Sequence, residues 1–265
     1  FSKQLHQRIC NITVRGMSNK DSILAEVIEN TGILTLNRPK AMNAFNDTMM
    51  MKMLEKLQEW ENKVDCVLVK GSGEVFCAGG DVVEITSGDP LNCQHGKNMF
   101  RNEYTLNYRI SKYKTPYIAL INGITMGAGF GISVHGKYRI ATEKTVFAVP
   151  EATIGHFPDA GATHFLPRLE GKLGLYLALT GKRLKGKDVM KIGLSTHYMD
   201  SKVVPKLLDS IIKVKDGDVD SVIKKYSVDV SDHVFSLSPY MDIINRVFSA
   251  PTVEEILRRL QEVKS

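Results

Sequence analysis

Leu120–Leu169 reads LINGITMGAGFGISVHGKYRIATEKTVFAVPEATIGHFPDAGATHFLPRL. An apolar, strand-like run from Tyr117 to Ile121 leads in, and a glycine-rich turn, Gly123–Gly131, follows. A short helix is expected where the small residues give way to Phe130-x-Ile132-x-Val134. Strand, glycine turn and helix in succession leave free backbone N–H groups at the helix start, where the helix dipole is positive. A second strand-like run, Thr145–Val149, leads into Pro150-Glu151, and Asp159 follows in a Pro-Asp-Ala-Gly turn. This stretch therefore offers a place to hold an oxyanion and two carboxylates, Glu151 and Asp159.

The flanking sequence repeats the same grammar. Ser22–Glu29 and Thr31–Leu36 alternate apolar and polar residues around Asn30-Thr31-Gly32, a hairpin signal. Asn46 is placed to cap a helix whose apolar face is Met50, Met53, Leu54, Leu57 and Trp60. Asp65–Lys70 reads as a buried strand. It is followed by Val75-Phe76-Cys77, the small residues Ala78-Gly79-Gly80, and a helix start at Asp81. Gly79 and Gly80 permit unusual dihedrals and close approach of a ligand to the backbone. Residues 86–98 read as a loop, and Met99–Lys112 as a helix with Phe100, Tyr104, Asn107 or Tyr108, and Ser111 on related faces. Glu103, taken alone, reads as a solvated helix carboxylate.

Lys172–Thr180 reads as a helix ended by Gly181, Asp188–Ile192 as a short helix, and Ser195–Met199 as strand-like. From Val203 the pattern turns helical, with Thr252-Val253-Glu254-Glu255 as a capping box for the last helix. Strand, turn and helix recur at 33–60, 65–86 and 117–135. That recurrence predicts an α/β fold built as a spiral of ββα units rather than a single doubly wound sheet. The expected organisation is a basic N-terminal extension over 1–21, a spiral core over 22–200, and a shortened helical C-terminal region over 201–265.

The composition of the 265 residues, 43% hydrophobic and 24% charged with net charge +6, is ordinary for a globular chain. No apolar run reaches the roughly 18 residues of a membrane helix. The Lys and Arg are dispersed, without the clustered basic–aromatic pattern of nucleic-acid binders, so neither membrane nor nucleic acid is expected as a partner. Cys10, Cys66, Cys77 and Cys93 form no C-x-x-C pair, which argues against a zinc or redox site and for a reducing compartment. Residues 1–20 hold Lys3, Arg8, Arg15 and Lys20 and no acid, which fits the remnant of an organelle-targeting segment or the start of a processed chain and equally a frayed basic N-terminus. The glycine turn lacks the third Gly of a dinucleotide fingerprint, with Ile132 in its place, and no P-loop, serine elbow or H-E-x-x-H is present. Glu151 and His156 have no third ligand close by, so no metal is expected. His135, His156 and His164 read as structural. What remains is a pair of glycine turns at strand-to-helix junctions and a few acids: acyl chemistry on an oxyanion hole without a side-chain triad.

At this point the residues resemble the crotonase (enoyl-CoA hydratase/isomerase) superfamily. Asn37-Arg38-Pro39-Lys40-Ala41-Met42-Asn43-Ala44, Phe76-Cys77-Ala78-Gly79-Gly80-Asp81, and Ile121-Asn122-Gly123 to Gly129 with Pro150-Glu151 and Gly155 match its motifs in order and spacing over 22–200. The resemblance implies a spiral ββα fold and an acyl-CoA thioester whose carbonyl is held by the N–H groups of Gly80 and Ala128. Ala128 stands where the family usually has Gly. Gly131 stands where its hydratases carry a second Glu, which disfavours two-carboxylate hydration of a double bond. The phrases around Glu103, Val134 and Glu151 are similar to one branch, the thioester hydrolases of valine breakdown.

The implied activity is hydrolysis of 3-hydroxyisobutyryl-CoA, with 3-hydroxypropionyl-CoA as a close alternative. The implied catalytic residues are Glu151, as base or nucleophile, and Asp159. The implied substrate contacts are Glu103, Gly79, Gly127, Ala78 and Asp81, with Arg38 and Lys40 along the CoA. No cofactor is implied, since CoA is part of the substrate. The implied compartment is the mitochondrial matrix, and a homo-oligomer is left open. An enoyl-CoA hydratase or isomerase, and a weakly active CoA-ester or RNA-binding scaffold, are the alternatives.

Overall fold

The computed structural model describes residues 21–87, 94–214 and 218–264. The expected basic extension, except Asp21, lies outside the described residues, as do Cys10, Cys93 and residues 88–93 of the expected loop.

β1 (Ile23–Ile28) and β2 (Thr31–Leu36) form the expected antiparallel hairpin. Its turn is Glu29–Asn30, not Asn30-Thr31-Gly32: Thr31 already pairs with Ile28, and Glu29 takes the left-handed φ of 51°. α1 (Asp47–Trp60) starts at Asn46, whose Oδ1 accepts from the Met49 N–H at 3.0 Å. It buries Met49, Met50, Met53, Leu57 and Trp60. Gly32 makes room for Trp60, since a Cβ there would lie 2.5 Å from the indole.

β3 (Cys66–Gly71), β4 (Val75–Cys77) and α2 (Val82–Ile85) form the next unit, and α3 (Gln94–Ser111) follows. β5 (Tyr117–Ile121), β6 (Ile124–Met126) and α4 (Ala128–Val134) repeat it. β7 (Tyr138–Ala141) and β8 (Val146–Ala148) repeat it again, ending in a 3-10 turn, Glu151–Ile154. Then come α5 (Ala162–Phe165), α6 (Leu173–Thr180), β9 (Leu184–Lys185), α7 (Gly186–Lys191) and β10 (His197–Tyr198). The described chain closes with α8 (Val204–Ile212), α9 (Val219–Tyr226), α10 (Met241–Phe248) and α11 (Val253–Lys264).

Each turn of the spiral gives one strand to each of two sheets. The first runs β1-β2-β3-β5-β7-β10 and the second β4-β6-β8-β9. Within them β2, β3, β5, β7 and β10 are parallel, as are β4, β6 and β8. The hairpin unit contributes only one bridge to the second sheet, Phe45 beside Gly80. Both faces of the six-stranded sheet are covered. Leu34, Val67, Val69, Ala119 and Ile121 face the main core, while Ile33, Leu68, Ile118, Leu120 and Ile140 face a second core closed by α8 and α9. That two-sided burial is why these strands read as continuous apolar runs. Buried Cys66 and Cys77 are free thiols within these cores.

Several local expectations change. The glycine stretch Gly123–Gly131 is not all turn: Ile124–Met126 is a strand, too short to show a period between its glycines. β7 has no counterpart among the expected elements, and the strand expected over Ser195–Met199 is only His197–Tyr198. α3 starts at Gln94, five residues before the expected Met99, and its Gly96 lies close to α2: a Cβ there would sit 3.4 Å from the Ile85 carbonyl. The buried face of α3 is Met99, Glu103, Leu106, Asn107 and Ile110, with Tyr104 and Tyr108 exposed. The capping box is half made: the Glu255 N–H donates to Thr252 Oγ1, while the Glu255 carboxylate binds Arg258 and Arg259. Among the described residues no helix is long and apolar enough to cross a membrane.

Removing the α1 cap tests how far this helix depends on it. Asn46→Ala should cost about 1 kcal/mol, read as a Tm lower by about 2–4 °C in a thermal melt.

Candidate active site

β4, β6 and β8 are neighbouring parallel strands, so their C-terminal ends emerge side by side. β4 ends at Cys77 and is followed by Ala78-Gly79-Gly80. β6 ends at Met126 and is followed by Gly127-Ala128. β8 ends at Ala148 and is followed by Val149-Pro150-Glu151. The two glycine turns touch: a Cβ on Gly127 would lie 3.4 Å from Gly79 Cα and 3.3 Å from Glu151 Oε1. Gly79 and Gly127 have φ of 125° and 48°, which side-chain-bearing residues rarely adopt.

The backbone of the first turn is pinned from α1's approach. The Phe45 N–H donates to the Gly79 carbonyl at 2.8 Å, and the Asp81 N–H donates to the Phe45 carbonyl at 3.0 Å. The Ala78 N–H donates to Met42 O at 3.1 Å. These bonds skip the N–H of Gly80. Ala128 is the first residue of α4, so its N–H has no acceptor within the helix. The site therefore presents two backbone donors on adjacent turns, next to the Glu151 carboxylate.

Three carboxylates gather there from separate elements. Glu151, 7% exposed, comes from the 3-10 turn after β8. Glu103, 3% exposed, comes from the buried face of α3. Asp159 lies in the irregular segment before α5, and its Oδ2 accepts from Tyr104 Oη at 2.9 Å. Among the described residues, Glu103 Oε1 and Glu151 Oε2 are buried with no hydrogen-bond partner. Burial pushes the Glu103 carboxyl up to about 8, and the charges of Asp159 and Glu151 add to the rise. Burial pushes Glu151 up to about 7; its own backbone N–H and His156 pull it down, and Asp159 raises it. Both carboxyls therefore hold their protons to higher pH than a free glutamate does, Glu103 more so than Glu151.

Gly131 has no room for a side chain. A Cβ there would lie 2.7 Å from Ala160 Cβ and 3.0 Å from Asn107 Nδ2. The second carboxyl beside Glu151 comes from α3, not α4. Arg38 Nη1 pairs with Asp81 Oδ2 at 2.7 Å, next to Gly80, and donates to the Ala44 carbonyl. Asp81 in turn caps α2 through the Glu84 N–H, and Lys40 is exposed. His156 stacks on Phe100 at 5.4 Å, and its Nε2 lies 3.4 Å from Asp159 Oδ2. His135 Nε2 bonds the Ala160 carbonyl at 3.3 Å.

Asn107 and Tyr104 were not singled out as site residues from the sequence. Asn107 is 5% exposed, its amide has no partner among the described residues, and it lies one helical turn from Glu103. The signal was the spacing Met99, Glu103, Leu106, Ile110, which makes Glu103 and Asn107 members of an apolar stripe.

The enoyl-CoA hydratase/isomerase family pattern matches residues 31–265. The chain is 44% identical to the mitochondrial 3-hydroxyisobutyryl-CoA hydrolase of Danio rerio, over 93% of this chain and 67% of that protein. It is 47% identical to the Xenopus laevis protein of the same name, over 87% and 62%, and 44% identical to the Homo sapiens one, over 91% and 65%. The chain thus spans about two thirds of the length of these relatives. Among solved structures it is similar to a carnitinyl-CoA dehydratase from Mycobacterium thermoresistibile, with TM-score 0.87 and 35% identity over 93% of this chain and 72% of that one. It is also similar to an enoyl-CoA hydratase from Rhodobacter sphaeroides, with TM-score 0.78 and 31% identity over 91% and 70%.

Two outcomes test this geometry. Gly131→Ala should destabilise by about 1–3 kcal/mol through overpacking, seen as a lower Tm; an unchanged Tm removes the close approach. The raised carboxyls give a pH signature. The folded chain holds these protons more tightly than the unfolded one, so their stabilising share is full below about 4.5 and is lost as pH rises, through about 7 for Glu151 and about 8 for Glu103. Glu103→Gln should therefore gain Tm relative to the parent as pH rises across that window, and a constant difference refutes the assignment.

Proposed function

The chain belongs to the enoyl-CoA hydratase/isomerase family, and from that premise we propose that it is a thioester hydrolase converting 3-hydroxyisobutyryl-CoA and water to 3-hydroxyisobutyrate and CoA in valine catabolism. The observation that carries this reading is the set of three adjacent strand ends, with two open backbone donors beside Glu151 and a Gly131 that admits no side chain. The names of the relatives at 41–47% identity support the substrate. We place the reaction in the mitochondrial matrix; the word mitochondrial in those names and the basic residues 1–20 support it.

The thioester oxygen lies between the N–H groups of Gly80 and Ala128. Charge builds on that oxygen as the carbonyl is attacked, and each fixed donor is worth about 2.7–4 kcal/mol in the transition state. Glu151 acts in one of two ways. As base, it takes a proton from water while the water oxygen attacks the carbonyl carbon. The tetrahedral intermediate then collapses, the C–S bond breaks, and the thiolate of CoA recovers the proton from Glu151. As nucleophile, its carboxylate displaces the thiolate, and water cleaves the resulting anhydride. Both routes need Glu151 ionised, and burial without a salt bridge keeps it basic enough to act near neutral pH.

Glu103, protonated near neutral pH, donates a hydrogen bond to the acyl end. Asp159 accepts from the acyl hydroxyl. Gly79, Gly127 and Ala78 leave the thioester room to approach the backbone, while Asp81 holds Arg38 at the CoA entrance and Lys40 meets the phosphates. The chain's own groups carry each step, and CoA enters as part of the substrate.

Thiol release from 3-hydroxyisobutyryl-CoA tests the reading directly. Glu151→Gln should lower kcat by roughly 10²–10⁴-fold, and undiminished release rejects Glu151. In the parent, kcat/KM should rise with pH and level off above about 7, where Glu151 is ionised. A profile that falls through that range contradicts both roles. Hydration of crotonyl-CoA in place of thiol release would transfer the chain to the hydratases.

A further inference from the structure

The segment carrying Asp159 has neither helix nor strand to orient its side chain. Residues 156–159 are irregular, and Ala160 and Gly161 follow with φ of 48° and 87°. The side chain is held from outside. Tyr104 Oη donates to Asp159 Oδ2 at 2.9 Å, and His156 Nε2 stands 3.4 Å from the same oxygen. Among the described residues Asp159 Oδ1 accepts no hydrogen bond, so one oxygen is committed and the other is free.

Tyr104 follows Glu103 on α3, and successive helix residues diverge by about 100°. Glu103 points into the chamber while Tyr104, 42% exposed, stands on its rim. The Phe100 ring, one turn earlier, lies 6.0 Å from Tyr104 and 5.4 Å from His156, so the rings brace each other across the gap between α3 and the Asp159 segment. A groove of about 790 Å³ opens on the outer side, bordered by Phe100, Tyr104, Tyr108 and Phe157. Burial, then the Asp159 charge, pushes the Tyr104 phenol up, which keeps it a donor at any physiological pH. A tyrosine needed only for packing on this rim would not require its hydroxyl; this hydroxyl is spent on a carboxylate of the active site.

We propose that Tyr104 is a positioning residue that fixes Asp159 through Oδ2 and leaves Oδ1 for the acyl hydroxyl, so that it sets selectivity for hydroxylated over plain acyl thioesters. This rests on the hydrolase reading above and on Asp159 as the acceptor for that hydroxyl. The charged groups facing Asp159 are Glu103 from α3, with Glu151 and His156 from the 3-10 turn and the segment after it. They are present for both classes of substrate, so they do not account for a difference between them.

The test compares 3-hydroxyisobutyryl-CoA with isobutyryl-CoA, which lacks the hydroxyl. Tyr104→Phe should lower kcat/KM about tenfold for the hydroxylated ester and leave the plain ester within about twofold. In an Asp159→Asn background the same substitution should change neither value further, because the two residues act as a unit. An equal loss on both esters makes Tyr104 merely structural, and an additive loss in the double variant overturns action through Asp159. Calorimetry with non-cleavable ketone analogues, in which a methylene replaces the thioester sulfur, gives the same ratio without turnover. If the ratio of Kd values shifts in Tyr104→Phe while neither ester is cleaved by the parent, the positioning role stands and the hydrolase reading falls. If the ratio is unchanged, the proposal falls.

Discussion

Val75–Cys77, Ile124–Met126 and Val146–Ala148 end side by side because they pair in parallel. Parallel pairing points the carbonyl ends of these three strands the same way, so whatever follows each strand meets its neighbours at one edge. Here the followers are two glycine turns and one glutamate. The strands are three residues long, too short to hold this register by themselves. The six-stranded sheet holds it for them, because each turn of the spiral anchors one long strand there, buried on both faces. Catalytic geometry in the small sheet is thus borrowed from hydrophobic burial in the large one.

Close approach is the second condition. A Cβ on Gly129 would meet the Cys77 carbonyl at 2.5 Å, and one on Gly123 the Glu74 carbonyl at 2.2 Å. These contacts bring α4 and β6 against β4 with no side chain between them, which is what sets the Gly80 and Ala128 turns next to each other. The same tightness at Gly131 closes the α4 face to any carboxylate. The acid that joins Glu151 comes instead from α3, the helix packed against α4 at this point. Fold and chemistry are linked here by a steric fact: where the backbone packs closest, the chain has no side chain to contribute.

Burying carboxyls without cations is costly, and among the described residues no salt bridge relieves that cost at Glu103 or Glu151. Arg38 is taken by Asp81, and Glu103 and Glu151 keep a bare oxygen each. Desolvation is the largest cause of both raised pKa values. Buried, unpaired carboxyls with raised pKa values are more often the mark of a site than of a stabilising contact. Asp159 is anchored by Tyr104, and Glu151 by its own backbone N–H.

The sequence by itself determined the spiral, because strand, turn and helix recur and because a two-sided buried strand reads as an unbroken apolar run. It also determined the cap at Asn46, since a cap depends on residue type and local spacing. It misplaced what depends on neighbours distant in the chain. Residues 94–98 read as loop although they open α3, where Gly96 lies against Ile85 through a tertiary contact. Glu103 looked solvated because a helix shows its stripe but not which wall it faces. Ile124–Met126 was lost among glycines because a three-residue strand exists only by pairing. Tyr104 carried no signal at all, since its partner Asp159 lies 55 residues away and meets it only when α3 and the segment before α5 form two walls of one chamber. Local physics writes the elements into the sequence; which side chains share a chamber is decided by packing, because only the folded chain brings those walls together.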